Sequence, residues 1–277
     1  MSAGGMREMT HRFLPGVAIL ITLAVCAAGA GEFGVVEDVE FLAGCDGVLQ
    51  RYVVGLPDGF DAGVARDVCV ALHGHGSDRW QFVRDGRDEC RAVRDVARAH
   101  SMIFVSPDYR ASTSWMGPKA ESDVVQIIGE VKRAYRVGRV FVCGGSMGGS
   151  SALTFAALHP ELVDGVVCLN GTANHIEYDQ FQDAIRDSFG GTKLEAVEEY
   201  KKRSAEYWPE RFTMPVAITA GGKDTTVPPG SSVRLAGILE RLGRPVLLIM
   251  REDGGHATNY DDTKAAFEFV IQQAATE

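Results

Sequence analysis

The chain has 277 residues, 45% of them hydrophobic and 23% charged, with a formal net charge of −9. That composition excludes an intrinsically disordered chain. The acidic balance also excludes nucleic acid and an anionic membrane surface as partners, because both demand clustered Lys and Arg. The first residues differ from the rest: Arg7, His11 and Arg12 precede an apolar run from Phe13 to Ala28, followed by Gly29 and Ala30. A positive start, a short apolar core and a small-residue end predict a signal peptide over residues 1–30, and hence a protein exported to the periplasm or beyond. The run, interrupted by Pro15, is short for a membrane span of about 20 residues, so no stable span is expected. A buried N-terminal helix is the structural alternative. Leu23-Ala24-Val25-Cys26 leaves lipid on Cys26 open, although Val25 is bulky for the position before an acylated cysteine.

No repeat or low-complexity linker divides the remainder, so residues 31–277 read as one domain. Residues 34–57 predict antiparallel strands around the turn Gly44-Cys45-Asp46-Gly47, closed by Pro57. Short apolar runs then occur at Val68–Leu72, Met102–Ser106, Arg139–Cys143, Val163–Leu169, Pro215–Ala220 and Pro245–Met250. Between them lie helical patterns at Asp88–Ala99, Ser122–Tyr135, Ser150–Leu158, Leu194–Ala205, Ser231–Leu242 and Tyr260–Gln273. Continuously apolar strands alternating with helices predict an α/β fold with a mostly parallel sheet covered on both faces. Cys69, Cys143 and Cys168 lie inside strand runs and read as buried thiols. Cys45 and Cys90 lie outside them and could pair in an oxidising compartment, which sequence alone leaves open.

The strongest chemical signal is Gly144-Gly145-Ser146-Met147-Gly148, directly after the strand ending at Cys143 and directly before a helix rich in small residues. G-x-S-x-G in that context is a nucleophile elbow, a strained turn that lifts a serine hydroxyl above the sheet. A P-loop needs Gly-Lys-Ser/Thr and a dinucleotide site needs G-x-G-x-x-G; neither is present. A serine needs a base. His256 follows the last strand across Arg251-Glu252-Asp253-Gly254-Gly255 and is the candidate, with His175 in reserve. The base needs a carboxylate, and Asp224, in the loop Gly221-Gly222-Lys223-Asp224, is favoured over Asp253, which stands too near His256 in the chain. The order Ser146, Asp224, His256 fits an α/β-hydrolase triad. Leu72-His73-Gly74-His75-Gly76 ends a strand, so the backbone N–H of His75 and that of Met147 are the expected oxyanion hole. His73-x-His75-x-x-Asp78 also approaches a zinc-hydrolase motif, but the Asp falls one place late and no His follows it.

Together LHGHGSD, CGGSMGG, GGKDTTVP and GGHATNY resemble secreted esterases of the α/β-hydrolase superfamily: feruloyl and acetylxylan esterases, polyhydroxybutyrate depolymerases and the catalytic domains of prolyl-oligopeptidase-like enzymes. The resemblance implies an eight-stranded α/β-hydrolase fold, and residues 176–211, too long for a plain crossover, are expected to form a small cap over the site. It implies a Ser-His-Asp serine hydrolase without metal or organic cofactor. The expected substrate is a carboxylic ester, small or linked to polysaccharide; a serine peptidase for short peptides and a non-catalytic binding relative are the competing readings. Only about 40 residues lie between the expected leader and the oxyanion loop, leaving no propeller to filter peptides by size. Trp115, Tyr109 and His175 are the expected substrate-binding residues. The arginines from Arg84 to Arg98 and the run Lys201-Lys202-Arg203 read as solvated helix faces.

Overall fold

The computed structural model describes residues 33–276; the expected signal peptide and Cys26 lie outside them. The chain opens with β1 (Val35–Leu42) and β2 (Leu49–Leu56), paired antiparallel from Val35 opposite Leu56 to Leu42 opposite Leu49. It continues through β3 (Arg66–Leu72), α1 (Gln81–Arg84), α2 (Asp88–Ala99), β4 (Ile103–Pro107), α3 (Pro118–Ala134), β5 (Val137–Gly145) and α4 (Met147–Leu158). Then come β6 (Gly165–Leu169), α5 (Gln182–Phe189), α6 (Val197–Lys202), β7 (Val216–Gly221), α7 (Gly230–Arg241), β8 (Val246–Arg251) and α8 (Tyr260–Ala274). The eight strands form one sheet in the order β1-β2-β4-β3-β5-β6-β7-β8, parallel from β4 onward in that order. This is the α/β-hydrolase fold.

Each strand serves two cores because successive side chains leave opposite faces. Val68, Val70 and Leu72 of β3 join Val124 of α3, Leu153 of α4 and Leu235 of α7 on one face. Cys69 and Ala71 join Val93 of α2 and Phe267 of α8 on the other. Burial on both faces explains why these strands carry no polar alternation. The sheet also fixes where chemistry can sit. From β3 the chain steps one way to β4 and later the other way, to β5 and beyond. The carboxyl ends of β3 and β5 therefore flank a topological switch point, where a crevice opens in such sheets.

Cys45 and Cys90 do not pair. Cys90 points from α2 into the core and is fully buried, whereas Cys45 is exposed beside Arg110. Burial raises the Cys90 thiol to about 12. Among the described residues no helix is long and apolar enough to cross a membrane.

Residues 176–211 carry α5, α6 and two short 3-10 turns at Ala205–Tyr207 and Pro209–Arg211. The helix expected over Leu194–Ala205 is shortened to α6. A capping box between Thr192 and Glu195 closes a separate turn first, and Leu194 stands 94% exposed with nothing to pack against. The run Lys201-Lys202-Arg203 is also not uniformly solvated: both lysines are exposed, but Arg203 is completely buried. Its guanidinium donates to Glu121 Oε2 on α3 at 2.7 Å, to Glu199 Oε1 at 2.6 Å and to the Met116 carbonyl at 2.5 Å. Met116, like Trp115 before it, has a positive φ. One arginine thus pins the cap to α3 and to a strained loop.

Burial alone would raise the Glu121 carboxyl, but His159, Arg203 and Lys202 outweigh it and hold it at about 2. We expect Arg203→Met to cost about 1–3 kcal/mol in urea unfolding near pH 7, since it leaves two half-buried carboxylates short of a charged donor. Glu121's folded pKa lies below its ordinary 4.5, so its share of stability is present above that value. The difference between parent and variant should therefore shrink on acidification from about 4.5 towards 2.

Candidate active site

Ser146 joins β5 to α4 in a backbone conformation, φ 58° and ψ −121°, that a non-glycine residue adopts only under constraint. The constraint is visible. Its N–H is held by the Leu169 carbonyl at 2.8 Å, and its own carbonyl accepts from Ser150 N at 3.0 Å. Gly148 in the first turn of α4 packs directly on β3, where a Cβ would collide with the Leu72 carbonyl. This contact sets the helix start, and the serine before it, against the end of β3.

The loops after β7 and β8 are drawn together in the same way. Gly222 N donates to the Arg251 carbonyl and Lys223 N to the Gly254 carbonyl, both at 2.8 Å. A Cβ on Gly221 would collide with the Gly255 carbonyl. Asp224 consequently lies beside His256. His256 Nδ1 is 2.7 Å from Asp224 Oδ2, and Nε2 is 2.9 Å from Ser146 Oγ. With the neutral ring protonated at Nδ1, that nitrogen donates to the carboxylate and Nε2 accepts from the serine hydroxyl. Asp224 Oδ1 accepts from the N–H groups of Thr226 and Val227, both at 2.9 Å, and its side chain is 1% exposed. A carboxylate so held does not rotate away from the ring. Asp253 is 90% exposed, paired with Lys223, and takes no part.

These groups open on a cavity of about 530 Å³ lined by Gly74, His75, Gly145, Ser146, Phe181 and His256, with Gln81, Arg87, Glu89, Asn170 and Thr226 around them. Met147 begins α4, so its N–H falls among the first-turn donors that a helix leaves unpaired. β3 and β5 pair in register at Leu72 and Gly144, which brings the His75 loop level with it. The His75 ring is fixed from behind. Trp115 Nε1–H donates to His75 Nδ1 at 3.2 Å, and Phe181 packs on it at a tilt of 43°, 4.3 Å between centroids. Burial lowers the pKa of this ring.

The three expected substrate-binding residues lie behind the wall rather than on it. Trp115 is fully buried against Phe181, Tyr178 and His175. Tyr109 is 1% exposed and donates to the His73 carbonyl at 2.5 Å. His175 is fully buried, neither ring nitrogen has a hydrogen-bond partner, and burial drives its pKa down to about 3. All three pack the loops because apolar surface in the cap must be covered from below. His175 is therefore not placed to serve as the base. His73 is also buried, with Nε2 3.0 Å from the Asp108 carbonyl, and among the described residues no cluster is arranged to hold a metal ion.

Phe181, Arg87 and Glu89 were not singled out by the sequence pattern. Phe181 hides in a polar stretch before α5, where a lone aromatic was the one signal. Arg87 was read with its neighbouring arginines as a solvated face and is indeed 54% exposed, but it also borders the cavity; Glu89, which carried no reading, lies beside Gly145 at the start of α2 and lines the cavity with it.

The sequence pattern of the prolyl oligopeptidase family matches residues 95–274, a stretch that includes all three residues of this relay. The chain belongs to the prolyl oligopeptidase family. No curated protein matches it. Solved structures similar to this family member include a protein assigned as dipeptidyl aminopeptidase IV from Bacteroides ovatus, at 16% identity and TM-score 0.69, covering 87% of this chain and 36% of that one. Pyrococcus horikoshii acylaminoacyl peptidase gives 16%, 0.68, 87% and 42%. The fluorophosphonate-binding serine hydrolase FphF of Staphylococcus aureus gives 16%, 0.67, 87% and 98%. The chain thus spans well under half the length of these two peptidases and nearly all of FphF. Family and fold place it among the serine hydrolases of the α/β-hydrolase superfamily. In this family member the contact between α4 and β3 has no room for a methyl group. Gly148→Ala should cost about 1–3 kcal/mol, read as a lower urea midpoint with unchanged slope.

Proposed function

We propose that the protein is a serine peptidase cleaving amide bonds in short peptides, with Ser146 as nucleophile, His256 as general base and Asp224 as the acid that orients the base. The observation that carries the reading is the continuous relay from Asp224 through His256 to Ser146, at 2.7 and 2.9 Å, in a chain of the prolyl oligopeptidase family. The family match supports amide cleavage better than the polysaccharide-ester reading suggested by the motifs.

Ser146 Oγ attacks the carbonyl carbon while its proton passes to His256 Nε2. The imidazolium so formed is stabilised through Nδ1–H by a carboxylate shielded from water. The backbone N–H groups of Met147 and His75 receive the charge that grows on the carbonyl oxygen. His256 then gives its proton to the leaving amine. Water, activated by the same ring, attacks the acyl-enzyme, releasing the acid and restoring Ser146. Ester cleavage follows the same steps with an alcohol leaving. It is the second reading, favoured by the likeness to S-formylglutathione hydrolase of Staphylococcus aureus, 98% of which this chain covers and whose name denotes hydrolysis of an S-acyl group.

A fluorophosphonate probe should label the parent protein at Ser146 and leave Ser146→Ala unlabelled. That variant should lose on the order of 10⁴-fold or more in kcat with its melting temperature unchanged. Asp224→Asn should lose roughly 10⁴-fold, because an amide at this position favours the wrong tautomer of His256. Comparing peptidyl anilides with p-nitrophenyl esters ranks the two substrate classes. A Ser146→Ala protein that turned over either class at the parent rate would remove the nucleophile from the account.

A further inference from the structure

Glu89 has no part in the relay, yet it lines the same cavity as Ser146 and His256. Its Cγ stands 4.0 Å from where a Cβ on Gly145 would be, next to the residue that precedes Ser146. The side chain is only 14% exposed. Its ionic contact is Arg87 Nη1 at 3.6 Å, beyond hydrogen-bonding range. Arg87 is committed elsewhere: Nε and Nη2 both lie 2.8 Å from Asp85 Oδ2. Asp85, Arg87 and Glu89 therefore sum to one net negative charge, and the unsatisfied share falls on Glu89.

The other ionisable side chains lining the cavity are His75 and His256. His75 accepts from Trp115 and is held neutral by burial; His256 must be neutral to act as a base. The cavity thus offers a carboxylate largely withdrawn from water and short of donors, with no competing cation beyond the one already paired to Asp85. Such a group gains most from a ligand that brings its own positively charged N–H donors.

We propose that Glu89 is a specificity-determining residue that binds the free α-ammonium of the substrate, so that the enzyme prefers acyl groups carrying an unblocked amino terminus close to the scissile carbonyl. This rests on Ser146 being the nucleophile, but not on whether the leaving group is an amine or an alcohol. The alternative role for Glu89 is local: an acid in the first turn of α2 interacts favourably with the helix dipole. A role of that kind affects all substrates alike.

The test uses alanyl and N-acetylalanyl β-naphthyl esters, which share an acyl chain and a leaving group and are labile enough for an esterase or a peptidase. The parent should favour the free amine at least 10-fold in kcat/KM, as expected for a charge-assisted hydrogen bond. Glu89→Gln should lower kcat/KM for the free amine by about 10- to 100-fold and affect the acetylated ester far less, so that the preference collapses. Glu89→Asp, which keeps the charge, should restore part of it. The proposal is overturned if the parent shows no preference, or if Glu89→Gln slows both esters equally. It also falls if neither ester is cleaved and the fluorophosphonate probe does not label Ser146; that outcome removes the underlying reading as well. Failure of Glu89 alone leaves labelling and turnover intact.

Discussion

The site depends on holding one serine in a backbone conformation that the chain disfavours. Residues in such regions cost of order 1–3 kcal/mol and persist only where their surroundings over-determine them. Here the surroundings are backbone groups. The Leu169 carbonyl of β6 holds Ser146 N, and α4 is seated so closely on β3 that only glycine fits at 148. Three strands of a parallel sheet thus cooperate to point one hydroxyl. Once Ser146 is fixed, the imidazole has a single place to be, and the loops after β7 and β8 bring it there through main-chain contacts at Gly222 and Lys223. The chemistry is positioned by backbone packing, with the charged groups added last.

Much of this was legible in the sequence because the constraints are local. A run such as Arg139–Cys143 followed by Gly-Gly-Ser-Met-Gly states both a strand and the turn that ends it. The glycines at 221 and 222 mark a close approach before the partner loop is known. The six strands from β3 to β8 were visible as apolar runs because a strand covered on both faces has no polar alternation to blur it. The order of Ser146, Asp224 and His256 along the chain then named three side chains that the fold brings within hydrogen-bonding distance.

What was not legible depends on packing between elements distant in sequence. Trp115, Tyr109 and His175 were expected in the pocket because they follow strand ends, yet the cap needs large side chains beneath it and draws all three inward. Arg203 sits in a run of positive charge, and only the approach of Glu121 from α3 makes its burial tolerable. Arg87 caps and Glu89 begins an amphipathic helix whose first turn borders the cavity. Substrate class was not legible for a related reason. The four motifs belong to a mechanism shared by esterases and peptidases, and they carry no information about the group that leaves.

The cap has a consequence for traffic. Its anchor, Arg203, is wholly desolvated and holds α3, α6 and the Met116 carbonyl at once, so swinging the cap aside would break all of these contacts of a buried charge together. A roof fastened in this manner behaves as masonry rather than as a hinged door. A cap so anchored keeps Phe181 on the cavity wall, where the bulk of its ring limits what fits beside the serine.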